Sequence, residues 1–156
     1  MKARDWGAAT FTPIGFVEHA VPDDAVRFQR RHLVASIYIL PQWAPALEGI
    51  EAFSHLFVLF WLHRMKGTPG ELRIHPRGRS DLPRVGLFAT RTPRRPNPIG
   101  LAVVELLERQ GAKLVVQGLD AYNGTPVLDL KPYDPWDRVE NPRVPAWWKR
   151  LASASP

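Results

Sequence analysis

Residues 88–101, F-A-T-R-T-P-R-R-P-N-P-I-G-L, constrain the fold of this chain more than any other stretch. Pro93, Pro96 and Pro98 each hold φ at about −65° and remove a backbone donor. They also push Thr92, Arg95 and Asn97, the residues before them, toward extended conformations. No helix can run through this stretch, and it makes a poor central strand. The expectation is a stiff, extended loop that presents Arg91, Arg94, Arg95 and Asn97 at fixed spacing and loses little entropy when a ligand binds. A rigid connector with solvated arginines is the competing reading.

The rest of the chain alternates short apolar runs with turn residues. Residues 12–17 read as a first strand and 33–40 as a strand with two partly buried faces. Residues 56–63, L-F-V-L-F-W-L-H, are too short for a buried helix and read as a central core strand. Further strands are expected at 85–89, 101–107, 113–119 and 126–130, the middle pair joined as a hairpin through 108–112. Residues 21–31 are polar and read as a loop. Pro45 and Gly49 leave room for only a short helical turn at 46–51, and a turn is expected at 67–70. Asn123-Gly124 is a strong turn dipeptide. Residues 146–151 fit one or two amphipathic helical turns, and 152–156 should fray. Seven or eight short strands with almost no helix point to an all-β sandwich or barrel.

Composition narrows the function. The 156 residues suffice for one domain with a core, and no apolar run reaches the eighteen residues of a membrane span. The opening M-K-A-R-D-W-G carries no apolar h-region, so no signal peptide is expected and the cytoplasm is the default. With no cysteine there is no thiol nucleophile or thiolate metal site. The five histidines have no metal-ligand spacing, so no metal is expected. No Gly-x-Gly occurs, which removes the dinucleotide fingerprint, the glycine-rich loop of Rossmann-type methyltransferases and the P-loop. A net charge of +6 favours an anionic partner, nucleic acid being the commonest. Arg73, Arg77, Arg79 and Arg84 gather in one basic region with few acids. They fit phosphate contacts or a solvated loop. Downstream, Asp129, Lys131 and Tyr133 alternate along an extended segment and should share one face. Such a set binds a polar ligand or moves protons. It also fits an edge-strand salt bridge with a packed tyrosine, and the residues alone leave both open.

The segment F-A-T-R-T-P-R-R-P-N-P-I-G-L, with N-G-T-P-V-L-D-L-K-P-Y downstream, resembles the TsaA-like (YaeB/VirR) family of TrmO-type tRNA (adenine-N6)-methyltransferases. P-I-G-F-V and L-E-G-I-E-A-F-S-H-L-F-V-L-F support the match, which covers roughly residues 11–137. The resemblance implies a small single-sheeted β-barrel over residues 1–140, with 141–156 as a short C-terminal tail. It implies S-adenosylmethionine as cofactor, a homodimer, no membrane, and tRNA as substrate. Methyl transfer would go to N6 of threonylcarbamoyladenosine at position 37, just 3′ of the anticodon. Arg91, Arg95, Pro96, Asn97, Pro98, Ile99, Gly100 and Lys131 become cofactor-binding candidates, with Arg91 or Arg95 on the methionine carboxylate. Asp129, Tyr133 and His55 become candidates for the base at N6, and Arg73, Arg77, Arg79 and Arg84 for RNA contact. Tyr122, Trp136 or Trp147 could stack a splayed base. Two features depart from the family: Asn123 stands where an aspartate is expected before Gly-Thr-Pro, and longer members carry a C-terminal domain thought to help hold tRNA. The other functions in view are a non-catalytic RNA- or nucleotide-binding barrel and methyl transfer to a different acceptor.

Overall fold

The computed structural model describes residues 7–65 and 70–153. Its centre is a closed antiparallel barrel built from β1 (Gly15–Glu18), β2 (Val34–Ile39), β3 (His55–Trp61), β6 (Ile99–Gln110), β7 (Lys113–Gln117) and β8 (Pro126–Pro132). The strands follow one another round the barrel as β1-β2-β7-β6-β3-β8. Two short strands, β4 (Arg73–Ile74) and β5 (Val85–Gly86), pair outside it. Two α-helices, α1 (Asp23–Gln29) and α2 (Ala146–Ser153), and several 3-10 turns make up the rest of the regular structure among the described residues.

Alternation decides which side chains fill the barrel. Val17, Ala35, Ile37, Ile39, Leu56, Val58, Phe60, Val104, Leu114, Val116 and Val127 point inward and are buried. Their neighbours point out: Phe16 stacks on Tyr38 with ring centroids 5.4 Å apart. β3 behaves the same way. Phe57 and Leu59 are only half-buried and Trp61 is exposed, so the apolar run expected to lie wholly in the core is one wall of a barrel with an apolar outer face.

Other sequence expectations are corrected. Residues 21–31 contain α1, which Pro22 opens and which Asp23 and Asp24 in its first turn stabilise against the helix dipole. Its single buried anchor, Val26, gave no periodic pattern to read. The strand expected at 85–89 is β5 followed by a 3-10 turn at Leu87–Ala89. Strands begin or end a few residues away from expectation, most visibly β6, which takes in Ile99 and Gly100 at one end and runs to Gln110 at the other. The helical turn expected at 46–51 is two 3-10 turns, Pro41–Leu47 and Ile50–Ala52, joined through Gly49 at φ +80°. Pro45 sits inside the first, since the tighter 3-10 turn tolerates it here. Ala152 and Ser153, expected to fray, belong to α2. Of the turn expected at 67–70, residues 67–69 lie outside the described residues, as do 154–156 of the tail. Among the described residues no helix is long and apolar enough to cross a membrane.

Candidate functional site

The proline-arginine loop sits where β3 ends and β6 begins. Leu62 N–H donates to Pro98 O at 2.8 Å, and Ile99 N–H donates to Asn97 O at 2.8 Å. Ile99 and Gly100 then pair with Trp61 and Phe60. Gly100 is required by packing: a Cβ there would lie 2.3 Å from Cε2 of the inward-pointing Phe60 ring. Arg95 turns back onto its own loop, donating to Thr90 O at 2.8 Å and Thr92 O at 3.4 Å, with its guanidinium 5.7 Å from the Phe88 ring centroid. It therefore braces the loop. Arg91, Pro96 and Asn97 are exposed and Pro98 is half-buried.

The same end of the barrel holds a cluster that the sequence reading did not assemble. Arg64 pairs with Asp23 of α1 and lies 4.8 Å over the Tyr122 ring. Beside it, His19 N–H donates to Asn123 Oδ1 at 3.1 Å. The amide oxygen thus supplies the acceptor that an aspartate would, and the departure at this position leaves the turn intact. We call this the loop end.

The proton-transfer candidates lie elsewhere. His55 starts β3, and β3 from His55 to Trp61 covers about 20 Å at roughly 3.4 Å per residue. Tyr133 N–H donates to His55 O at 3.0 Å, and the two rings stand 6.3 Å apart. Tyr133 also meets Phe57 edge-on at 5.3 Å. His55 Nδ1 is 2.9 Å from Ser54 Oγ; with Nδ1 donating, Nε2 keeps its lone pair and can accept a proton. Asp129 pairs in register with Leu59 and Lys131 with Phe57, so both share the outer face with Tyr133. The Lys131 ammonium is 2.8 Å from the Asp129 carboxylate. A cover over residues 41–53 closes this lid end. Arg109 clamps it, donating to Leu47 O at 2.9 Å and Glu51 at 2.7 Å. A backbone N–H and Arg109 hold the Glu51 carboxyl below the usual carboxylate range.

The four RNA candidates lie on the β4–β5 arm and are not equivalent. Arg79 pairs with Asp81 at 2.7 Å, which raises its own pKa and lowers that of Asp81. Arg84 pairs with Glu71 and donates to Arg73 O at 2.7 Å. Arg73 donates to Arg84 O at 3.4 Å, and Arg77 is exposed at φ +53° beside Gly78. Trp136 is 96% exposed on a 3-10 turn capped by Asp134, whereas Trp147 is half-buried. No group of three metal-ligating side chains gathers among the described residues.

A closed barrel with an arginine-proline-asparagine-proline loop at its rim defines a class of protein. Residues 17–137 match the tRNA-methyltransferase O N-terminal domain, and the chain belongs to that family. It is 42% identical over 126 residues to an S-adenosyl-L-methionine-binding protein of Archaeoglobus fulgidus, covering 79% of this chain and 88% of that one. It is 42% identical over 97 residues to the tRNA (adenine(37)-N6)-methyltransferase of Escherichia coli, covering 60% of this chain and 41% of the enzyme. A crystal structure of TrmO superposes with a TM-score of 0.70 at 32% identity, covering 88% of this chain and 64% of that one. Against its relatives the chain spans from 30% to 96% of their length.

Proposed function

We propose that this chain is an S-adenosylmethionine-dependent methyltransferase acting on N6 of threonylcarbamoyladenosine at position 37 of tRNA. We further propose that it is a cytoplasmic homodimer that uses no membrane. Residues 1–140 are its barrel domain and 141–156 its C-terminal tail. Family membership supports the reaction, and the loop supports the cofactor. The observation that carries the reading is that Arg91 and Asn97 stand exposed on a loop fastened at Leu62 and braced by Arg95.

This donor set fits the cofactor. A guanidinium pairs bidentately with the methionine carboxylate, and the Asn97 amide offers both a donor and an acceptor. When bound, S-adenosylmethionine supplies a methyl group on a sulfonium, already a strong donor. The chain's own task is to align the acceptor, exclude water and take the N6 proton. That nitrogen is flanked by a carbonyl, so its lone pair is delocalised and its N–H comparatively acidic. Asp129, or His55 through Nε2, takes this proton; Tyr133 orients His55 by ring contact and through the bond to its carbonyl. Lys131 pairs with the Asp129 carboxylate at 2.8 Å and positions it.

Within one chain the loop and His55 sit at opposite ends of β3, with Asp129 between them opposite Leu59. The outer face between them is apolar: Trp61, Ile99, Leu101 and Val103 are exposed on adjacent strands. A two-fold interface on this face with its axis across the strands would run the two β3 strands antiparallel. The loop of one protomer would then meet His55, Asp129 and Tyr133 of the other. Arg73, Arg77, Arg79 and Arg84 contact tRNA phosphates, Arg79 and Arg84 while paired with Asp81 and Glu71. Nucleoside mass spectrometry of tRNA from cells with and without the protein tests the reaction. Loss of N6-methylated threonylcarbamoyladenosine supports it, and an unchanged nucleoside profile overturns it.

A further inference from the structure

Beneath the cover at residues 41–53 lies a cleft of about 390 Å³, at the small end of the range for ligand pockets. Its floor is apolar, from Ile14, Ile39, Leu47 and Leu130. Trp43 and Phe53 stand in its wall 43% and 39% exposed, open to something flat. Two carboxylates, Glu48 and Asp129, also line it. The cleft exists because β8 outruns β1. Their register ends at Gly15 with Val127, and from Asp129 to Pro132 β8 pairs with β3 alone. The edge facing the cleft therefore has no strand partner, and it offers main-chain donors and acceptors beside the Asp129 side chain.

We propose that this cleft receives the purine ring of the acceptor adenosine, flipped out of the RNA. The inference rests on the methyltransferase reading above and adds where the acceptor base sits. An extruded base needs aromatic or apolar walls and hydrogen-bond partners along its edge. The cleft has both. Its two carboxylates repel phosphate and accept from an exocyclic amine, so the base enters and the backbone stays outside. Asp129 then faces N6, the nitrogen that must lose a proton. Lys131, 2.8 Å from Asp129, supplies positive charge for an adduct that carries its own carboxylate.

The test uses an anticodon-arm RNA hairpin with threonylcarbamoyladenosine at the acceptor position and 2-aminopurine as its 3′ neighbour, which brightens when the acceptor base leaves the stack, titrated against full-length protein, with S-adenosylmethionine binding measured in parallel by calorimetry. Wild type should change the 2-aminopurine fluorescence on binding. Trp43→Leu should weaken RNA binding about ten-fold, a typical loss for one base–aromatic stack. Trp43→Phe should restore most of it, and Ala46→Trp, which fills the cleft, should weaken it comparably. S-adenosylmethionine affinity should stay within about two-fold throughout, since the donor set for the cofactor is on the loop. If Trp43→Leu fails to fold, Ala46→Trp and Phe53→Leu decide. Unchanged RNA affinity in the cleft variants overturns the proposal. Parallel loss of S-adenosylmethionine binding also overturns it, because the cleft is then the cofactor's. The two readings fail separately. A wild type that methylates tRNA, with cleft variants as good, removes only the cleft. A fluorescence response that is lost in Trp43→Leu, without any methyl transfer by wild type, keeps the cleft and removes the reaction.

Discussion

The two ends of the barrel solve different problems. The loop end is basic and is stiffened by covalent structure: three prolines fix its path, and Arg95 and Leu62 fasten it. The lid end is assembled by contact: a pair of 3-10 turns lies across the barrel mouth, held by Leu47 in the core and by Arg109 from β6. The comparison teaches that stiff covalent structure can order one end of a barrel while tertiary contact orders the other.

The largest effect should come from splitting the ends between protomers. His55→Ala and Asp129→Asn should each lower kcat by about 10²–10⁴-fold while cofactor affinity holds. Arg91→Ala should instead abolish activity at low cofactor concentration. Mixing Arg91→Ala with His55→Ala under subunit exchange should regenerate activity, because one of the two sites in each heterodimer then has an intact loop and an intact His55. No recovery would put both ends' functions within single chains and break the shared-site arrangement.

Next in size is Gly100→Ala. The added methyl meets the Phe60 ring, and overpacking of this kind costs about 1–3 kcal/mol. Denaturant unfolding should show the loss, and calorimetry should show cofactor binding falling with it, since the same residue anchors the loop. A wild-type midpoint would mean that the β3–β6 wall yields easily.

Arg91→Ala and Asn97→Ala should each weaken cofactor binding by about 1.5–3 kcal/mol, the worth of a charge-assisted bond, without moving the melting temperature. Arg95→Ala differs in kind: it should widen the loop's hydrogen exchange before it changes affinity. If Arg95→Ala loses cofactor binding with an unchanged loop, Arg95 touches the ligand and the division of labour on the loop is wrong.

On the β4–β5 arm, replacing Arg77 and Arg79 together should flatten the salt dependence of tRNA binding by less than about two units of slope, because Arg79 already answers Asp81. Titrations at several salt concentrations read this directly. An unchanged slope would remove the arm from the RNA surface.

The smallest effect is at the lid. The Glu51 carboxyl titrates below its ordinary range, so its tie to Arg109 is fully present above the unfolded carboxylate pKa and is lost as pH falls through the lower folded value. Hydrogen exchange at residues 47–52 should therefore rise on acidification before the barrel melts, and Glu51→Gln should show that faster exchange already at neutral pH. Both partners are accessible to water, so the change should be slight and should fade in high salt.

Much of this protein was legible in its residues. Proline chemistry by itself ruled out a helix at 90–98, and alternation by itself located most barrel strands, because both act on the chain one residue at a time. The shared face of Asp129 and Lys131 followed from the same period of two. What lay beyond the sequence depends on elements meeting. The helix at Asp23–Gln29 has one anchor, Val26, and its partner Arg64 is forty-one residues away. Gly100 read as a loop glycine until Phe60 was seen beneath it. Trp43 and Phe53 became walls only when β8 outran β1 and left an edge to cover. Local propensity fixes which residues can be strand or turn; closure of the barrel fixes which strands lie side by side, and therefore which end of the molecule each side chain serves.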